Sequence, residues 1–169
     1  MKRGRPTRDL LRSIDVDALA RDVTIAANAR ADELALFLGW RDIPKPHSIS
    51  ACRLASDVKA VHRLALRDSR VPVRDALFGA IDDVERSLRG VDVPAEFTLV
   101  VTAARARLTI DAGKAVELAP LAALAGVSLA TVRAAVASGA LKTPAGAHGR
   151  VVRVRAKDAR AWLTARGVQ

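Results

Sequence analysis

Three observations predict a mainly α-helical chain: an N-terminal helical bundle, then a smaller unit that carries a short β-hairpin. Apolar residues recur at helical spacing in four successive segments between Asp15 and Asp111. The 10 Gly and 7 Pro fall mostly between those segments, where they end helices instead of interrupting them. Strict alternation of apolar and charged residues, the pattern of a half-exposed strand, occurs in a short stretch near the C-terminus. With 169 residues, 50% of them hydrophobic and 27% charged, the chain has the length and composition to bury a core.

The first helix is expected from Asp15 to about Trp40, with Val16, Leu19, Val23, Leu34 and Leu38 at roughly helical spacing. Gly39 and the Arg41–Pro46 stretch, which holds two prolines, stop it. The second runs from about Ser50 to Asp68, with Leu54, Val58, Val61 and Ala65 on one face. The third, about Val73 to Arg89, sets Leu77, Ile81, Val84 and Leu88 in a single stripe. The fourth, about Pro94 to Asp111, repeats that spacing with Phe97, Val101, Ala104 and Leu108. One-sided stripes require something to bury against, and a connection as short as Gly90 to Val93 favours antiparallel neighbours. The third and fourth stripes are narrow enough for a bundle within one chain or for a dimer seam.

Residues 118–142, LAPLAALAGVSLATVRAAVASGALK, carry a more specific pattern. Pro120 suits the opening of a helix whose buried side is Leu121, Ala122 and Leu124. Gly126 accepts the left-handed backbone that a sharp turn between packed helices demands. Val127 would plug the space between the helices, and Ser128 would cap the second one by accepting a backbone N–H. Val132, Ala135 and Val136 then face inward until Gly139 ends the helix. This is the helix-turn-helix pattern. Beyond it, Leu141–Thr143 and Arg150–Arg155 are expected to pair as a two-stranded wing around a Pro/Gly-rich turn, with Val152 and Val154 inward and Arg153 and Arg155 outward. A last helix follows, with Asp158 in its first turn and Ala159, Trp162 and Leu163 returning to the core.

The segments Gly126–Val132, Ser138–Lys142, Arg153–Asp158 and Ala161–Leu163 resemble the winged helix-turn-helix of excisionase and MerR-type DNA-binding domains. The resemblance covers about residues 115–166 and leaves the helical body unaccounted for. It implies a second helix that enters the major groove and a wing that touches flanking backbone or minor groove. Carried over by position, the contacts fall on Ser128, Leu129, Ala130, Thr131 and Arg133, with Lys142, Arg150 and Arg153 around the wing. The exposed face of the recognition helix departs from that pattern in having only one long polar side chain, Arg133.

Charge points the same way. The formal net charge is +10, and all of it lies at the two ends: residues 1–13 are net +4, residues 141–169 net +6, and the stretch between is balanced. Basic ends suit a polyanion, since phosphate contacts dominate non-specific affinity. With no Tyr, 3 Phe and 2 Trp, the chain lacks the stacking platforms that single strands and RNA loops require, so duplex DNA is the expected partner. At the N-terminus, Lys2-Arg3-Gly4-Arg5-Pro6 resembles an AT-hook peptide; that implies an arm in which Lys2, Arg3 and Arg5 lie along a minor groove.

The expected organisation is a flexible basic arm at 1–13, a helical body for oligomerisation at 14–112 and the winged helix-turn-helix domain at 113–169. Neither an apolar run of membrane-spanning length nor a signal peptide is visible, and a single cysteine fits a reducing cytoplasm, bacterial or phage. His47, His62 and His148 are scattered, so no metal, cofactor or catalytic site is expected; His62 reads as structural, and Asp82, Asp83 and Glu85 as a solvated face. The expected function is a dimeric transcriptional regulator. The alternatives are an architectural factor of recombination, excision or plasmid partition, and an antitoxin whose helical body binds a partner protein.

Overall fold

Asp15 starts the first long helix by staying extended while its carboxylate accepts the backbone N–H groups of Asp17 and Ala18 at 3.0 and 3.1 Å. In this computed structural model the described residues are 11–38, 49–66, 74–143 and 152–168. The body comprises α1 (Val16–Phe37), α2 (Ile49–Leu66), α3 (Arg74–Ser87) and α4 (Ala95–Asp111). Pro94 precedes α4, where its missing N–H removes no helical bond. His62 of α2 is buried and donates from Nε2 to the carbonyl of Leu11 at 2.9 Å, which ties the start of the described chain to the body. It is a structural residue, as its position in the sequence suggests.

Helix α4 is the centre of the molecule. Phe97, Val100, Val101, Ala104, Leu108 and Ile110 are all buried, and Ala103 and Ala106 bury further sides of the same helix. A helix apolar on most of its circumference must be surrounded, and α4 packs on α2 and α3 of the body and on the helices that follow. The stripes Ile81–Val84–Leu88 and Phe97–Val101–Ala104–Leu108 are therefore used within one chain and offer no seam to a second copy.

One expected stripe is only half correct. In α1, Leu19, Ala20 and Val23 are buried, whereas Leu34 and Leu38 are 45% and 53% exposed. The reason is the length of the neighbour. Lys59 of α2 meets Asp17 of α1 at 2.6 Å, and α2 begins ten residues before Lys59, at Ile49. An antiparallel α2 therefore runs out about level with Ala27, and the rest of α1 extends past it.

The C-terminal unit comprises β1 (Val116–Glu117), α5 (Leu118–Ala125), α6 (Leu129–Ala137), β2 (Arg153–Val154) and α7 (Ala156–Ala165). The strands form a two-stranded antiparallel sheet with Val116 opposite Val154 and Glu117 opposite Arg153. Asp158 lies in the first turn of α7, and Ala159, Trp162 and Leu163 are buried, as the sequence predicts. Arg160 of α7 donates to the terminal carbonyls of α4, to Ile110 and, at 3.4 Å, to Asp111. A cation at those last-turn carbonyls opposes the helix dipole, and Ile110 O also accepts the Gly113 N–H at 3.0 Å. The buried residues form one cluster that continues across positions 112 and 113. No single helix among the described residues is long and apolar enough to cross a membrane.

Candidate functional site

The turn between α5 and α6 is built as its residues require. Gly126 has φ 67° and ψ 41°, the left-handed conformation. Its N–H bonds Ala123 O at 3.3 Å and the Val127 N–H bonds Ala122 O at 3.1 Å, the bond pair that closes a helix on a Schellman turn. Ser128 then caps α6: its hydroxyl accepts the Thr131 N–H at 3.2 Å and lies 2.9 Å from the Thr131 hydroxyl. Helices α5 and α6 are bent by 112° from one another across this break. The helix before the turn opens two residues earlier than the start expected at Pro120, because α5 begins at Leu118 and Pro120 occupies its first turn.

Helix α6 buries Val132 and Ala135 against α5 and half-buries Leu129, Thr131 and Val136. Its outer face is Ala130, Arg133, Ala134 and Ala137, all exposed. Ser128 and Thr131 are thus engaged with each other, while Arg133 and Ala130 project freely.

The wing differs from expectation. Residues 141–143 are not a strand. Gly139, with φ 74°, turns the chain back, so its N–H reaches Val136 O at 3.1 Å and the Leu141 N–H reaches Ala135 O at 2.9 Å. These backbone groups terminate α6 and are unavailable to a ladder, and Leu141 is buried beneath the helix end. The strand that pairs with Arg153–Val154 is instead Val116–Glu117, directly before α5. Val154 is buried and Arg153 and Arg155 are exposed, so the expected alternation holds.

Charges around this surface are unequal. From 113 onward the described residues hold eight Lys and Arg against two acidic side chains. Arg153 donates to Glu117 through Nη2 at 2.9 Å and through Nε at 3.3 Å, which offsets much of its charge. Arg166 stacks over Trp162 at 4.4 Å. Arg133, Lys142, Arg155 and Lys157 are exposed and make no ion pair with a described residue. The sequence reads Arg155 as facing outward on the wing, and Lys157 only as part of the basic C-terminus. The remaining site candidates, Arg150 and the arm residues Lys2, Arg3 and Arg5, lie outside the described residues.

A cleft of about 270 Å³ separates this unit from the body, over Ile81, Leu108 and Val116. Arg105 spans to Asp82 at 2.9 Å on one wall and also engages Glu85; the Arg153–Glu117 pair forms the other. Asp82 and Glu85 are therefore partners that join α3 to α4, and more than a solvated face. Among the described residues, no group of three or more His, Cys, Asp and Glu is arranged to hold a metal ion. No protein-family model matches the chain, and neither a curated protein nor a solved structure does.

Proposed function

We propose that this chain binds duplex DNA as a transcriptional regulator, with α6 in the major groove and basic residues near β2 on the flanking phosphates. The observation that carries the reading is the junction of α5 and α6. A left-handed glycine and a serine cap join two short helices at a bend of 112°, and helix-turn-helix pairs meet at roughly 90–120°. The outer face of α6 has the shape that groove entry needs. Ala130, Ala134 and Ala137 let the helix approach base edges closely, and Arg133 can bind guanine O6 and N7 through two bonds. Lys142, Arg155 and Lys157 supply uncompensated charge for phosphates, and Arg153 adds less because Glu117 shares it. The arm with Lys2, Arg3 and Arg5 supplies a second grip in the minor groove. So thin a set of base contacts also favours a second reading, an architectural factor that selects deformable DNA.

The test is anisotropy of a labelled duplex with the full chain between about 50 and 300 mM salt, where each phosphate contact contributes roughly −0.9 to the log–log slope. Replacing Lys142, Arg155 and Lys157 with Gln together should make the slope shallower by about 2–3 and weaken all duplexes alike. Arg133→Ala should cost about 1–3 kcal/mol on the preferred sequence and little on others. A flat salt response overturns the proposal. A steep response with no sequence preference selects the architectural reading.

A further inference from the structure

Two outward arginines of the C-terminal unit leave the same side of one extended segment and differ in a single neighbour. Arg153 and Arg155 are two residues apart, so both project away from the side on which Val154 is buried. In the antiparallel register Glu117 lies directly across from Arg153. One step further along that register brings Ala115 level with Arg155, and alanine has no charge to offer. Arg153 is therefore compensated, whereas Arg155 is bare.

Glu117 is free for that task. It stands at the N-cap of α5, yet its side chain makes no capping bond. Its Oε1 instead accepts from both Nε and Nη2 of Arg153, at 3.3 and 2.9 Å. Nη1 is the nitrogen left to meet a phosphate. A phosphate in contact there stands about 4 Å from the guanidinium and about 8 Å from the carboxylate behind it. Coulomb energy falls as 1/r, so repulsion by Glu117 cancels about half of the attraction to Arg153. Both side chains are exposed, so the pair contributes little to stability. Its larger consequence is for an approaching anion.

We infer that Glu117 is an affinity brake on the proposed DNA surface, holding Arg153 at about half a phosphate contact while Arg155 supplies a full one. The effect falls on every duplex alike, because phosphates carry no sequence, and the preference set by Arg133 is left intact. This inference rests on the proposed function, since a chain that binds no duplex gives Glu117 nothing to limit.

The experiment is anisotropy of the full chain with two labelled duplexes, the preferred sequence and an unrelated one, between about 50 and 300 mM salt. Glu117→Gln keeps an oxygen that can accept from Arg153 and removes only the charge, so its melting temperature should match the wild type. It should bind both duplexes about three- to tenfold more tightly at the lowest salt. Its log–log slope should be steeper by roughly 0.5–0.9. A merely structural Glu117 predicts the reverse, a lower melting temperature with weaker binding. Adding Arg153→Gln to Glu117→Gln should remove the gain. If Glu117→Gln binds no more tightly than a wild type that does bind duplex DNA, the inference falls and the proposed function stands. A double variant as tight as Glu117→Gln, or a gain confined to one duplex, means that Arg153 is not the residue restrained and overturns the inference too. A wild type that binds neither duplex overturns the proposed function and the brake together.

Discussion

In the body, cations face carboxylates on neighbouring helices. Arg105 of α4 is held by Asp82 and Glu85 of α3, Lys59 of α2 by Asp17 of α1, and Arg53 of α2 reaches Asp83 of α3 at 3.4 Å. In the C-terminal unit the ion pair joining β1 to β2, Arg153–Glu117, stands beside four exposed basic residues that pair with nothing described. The apolar chemistry of the two regions is the same: alanine-rich helices with Val and Leu inward, joined through α4 into one core. The difference teaches where each region directs its charge. Exposed ion pairs contribute roughly 0–1 kcal/mol each, so the body's pairs mainly cancel charge and align helices. The charge left over in the C-terminal unit stabilises nothing internally, and that makes it available to an anion.

The largest effect tests whether two regions so different in charge are one in folding. Leu124 of α5 is 2% exposed and belongs to the shared core. Leu124→Ala should cost about 2–5 kcal/mol, and calorimetry should still show one transition, because α4 and α5 bury each other. Two separated transitions, with the body's unchanged, would break the continuity and make the regions independent folding units. A smaller effect probes the turn alone. Gly126→Ala imposes a side chain on left-handed backbone at about 1–2 kcal/mol, with the loss felt as lower stability and weaker duplex binding together. A variant with unchanged melting temperature would mean that the turn relaxes freely and does not set the angle between α5 and α6.

Much of this architecture was legible in the sequence, and the failures share a cause. The starts of α1, α4 and α6 follow from Asp15, Pro94 and Ser128, because caps and breakers act on their own neighbours. Ile81, Val84 and Leu88 of α3, the inward residues of α4 and α7, and Val132 and Ala135 of α6 follow from periodicity, while Leu77 lies outside the described side chains. Three features depended on what lies across space. The stripe of α1 continues through Leu34 and Leu38, but burial ends where α2 ends, and periodicity does not reveal the length of a neighbour. Leu141–Thr143 reads as a strand by composition, yet its backbone is drawn into the end of α6 by the turn at Gly139. The true partner, Val116–Glu117, is two residues long, too short for alternation to register. In the candidate site, Ser128 and Arg133 were readable as cap and projecting residue; the neutralising effect of Glu117 on Arg153 was not, since 36 residues separate them in sequence.

The smallest effect sharpens the comparison inside the body itself, where two aspartates respond to pH with opposite sign. At Asp57 of α2, burial raises the carboxyl pKa above its ordinary range, and nearby Asp83 raises it further against the opposing pull of Arg53. At Asp17 the hydrogen bond and charge of Lys59 lower it. A carboxyl with a raised folded pKa is destabilised when ionised, so the folded state loses stability as pH climbs from the unfolded pKa through the folded one. Asp57→Asn removes that loss. The variant should melt slightly above the wild type at pH 7, with the advantage shrinking as acid protonates Asp57 in both states. Asp17 works in reverse: its pairing stabilises the fold above the unfolded pKa and is lost as pH falls through the lowered folded value. Asp17→Asn should therefore melt slightly below the wild type at pH 7, and the deficit should close in acid. Melting curves from about pH 3 to 8 read both signs at once. If Asp57→Asn also melts lower at pH 7, the attraction of Arg53 at 3.8 Å outweighs burial, and Asp57 belongs with the body's compensated charges.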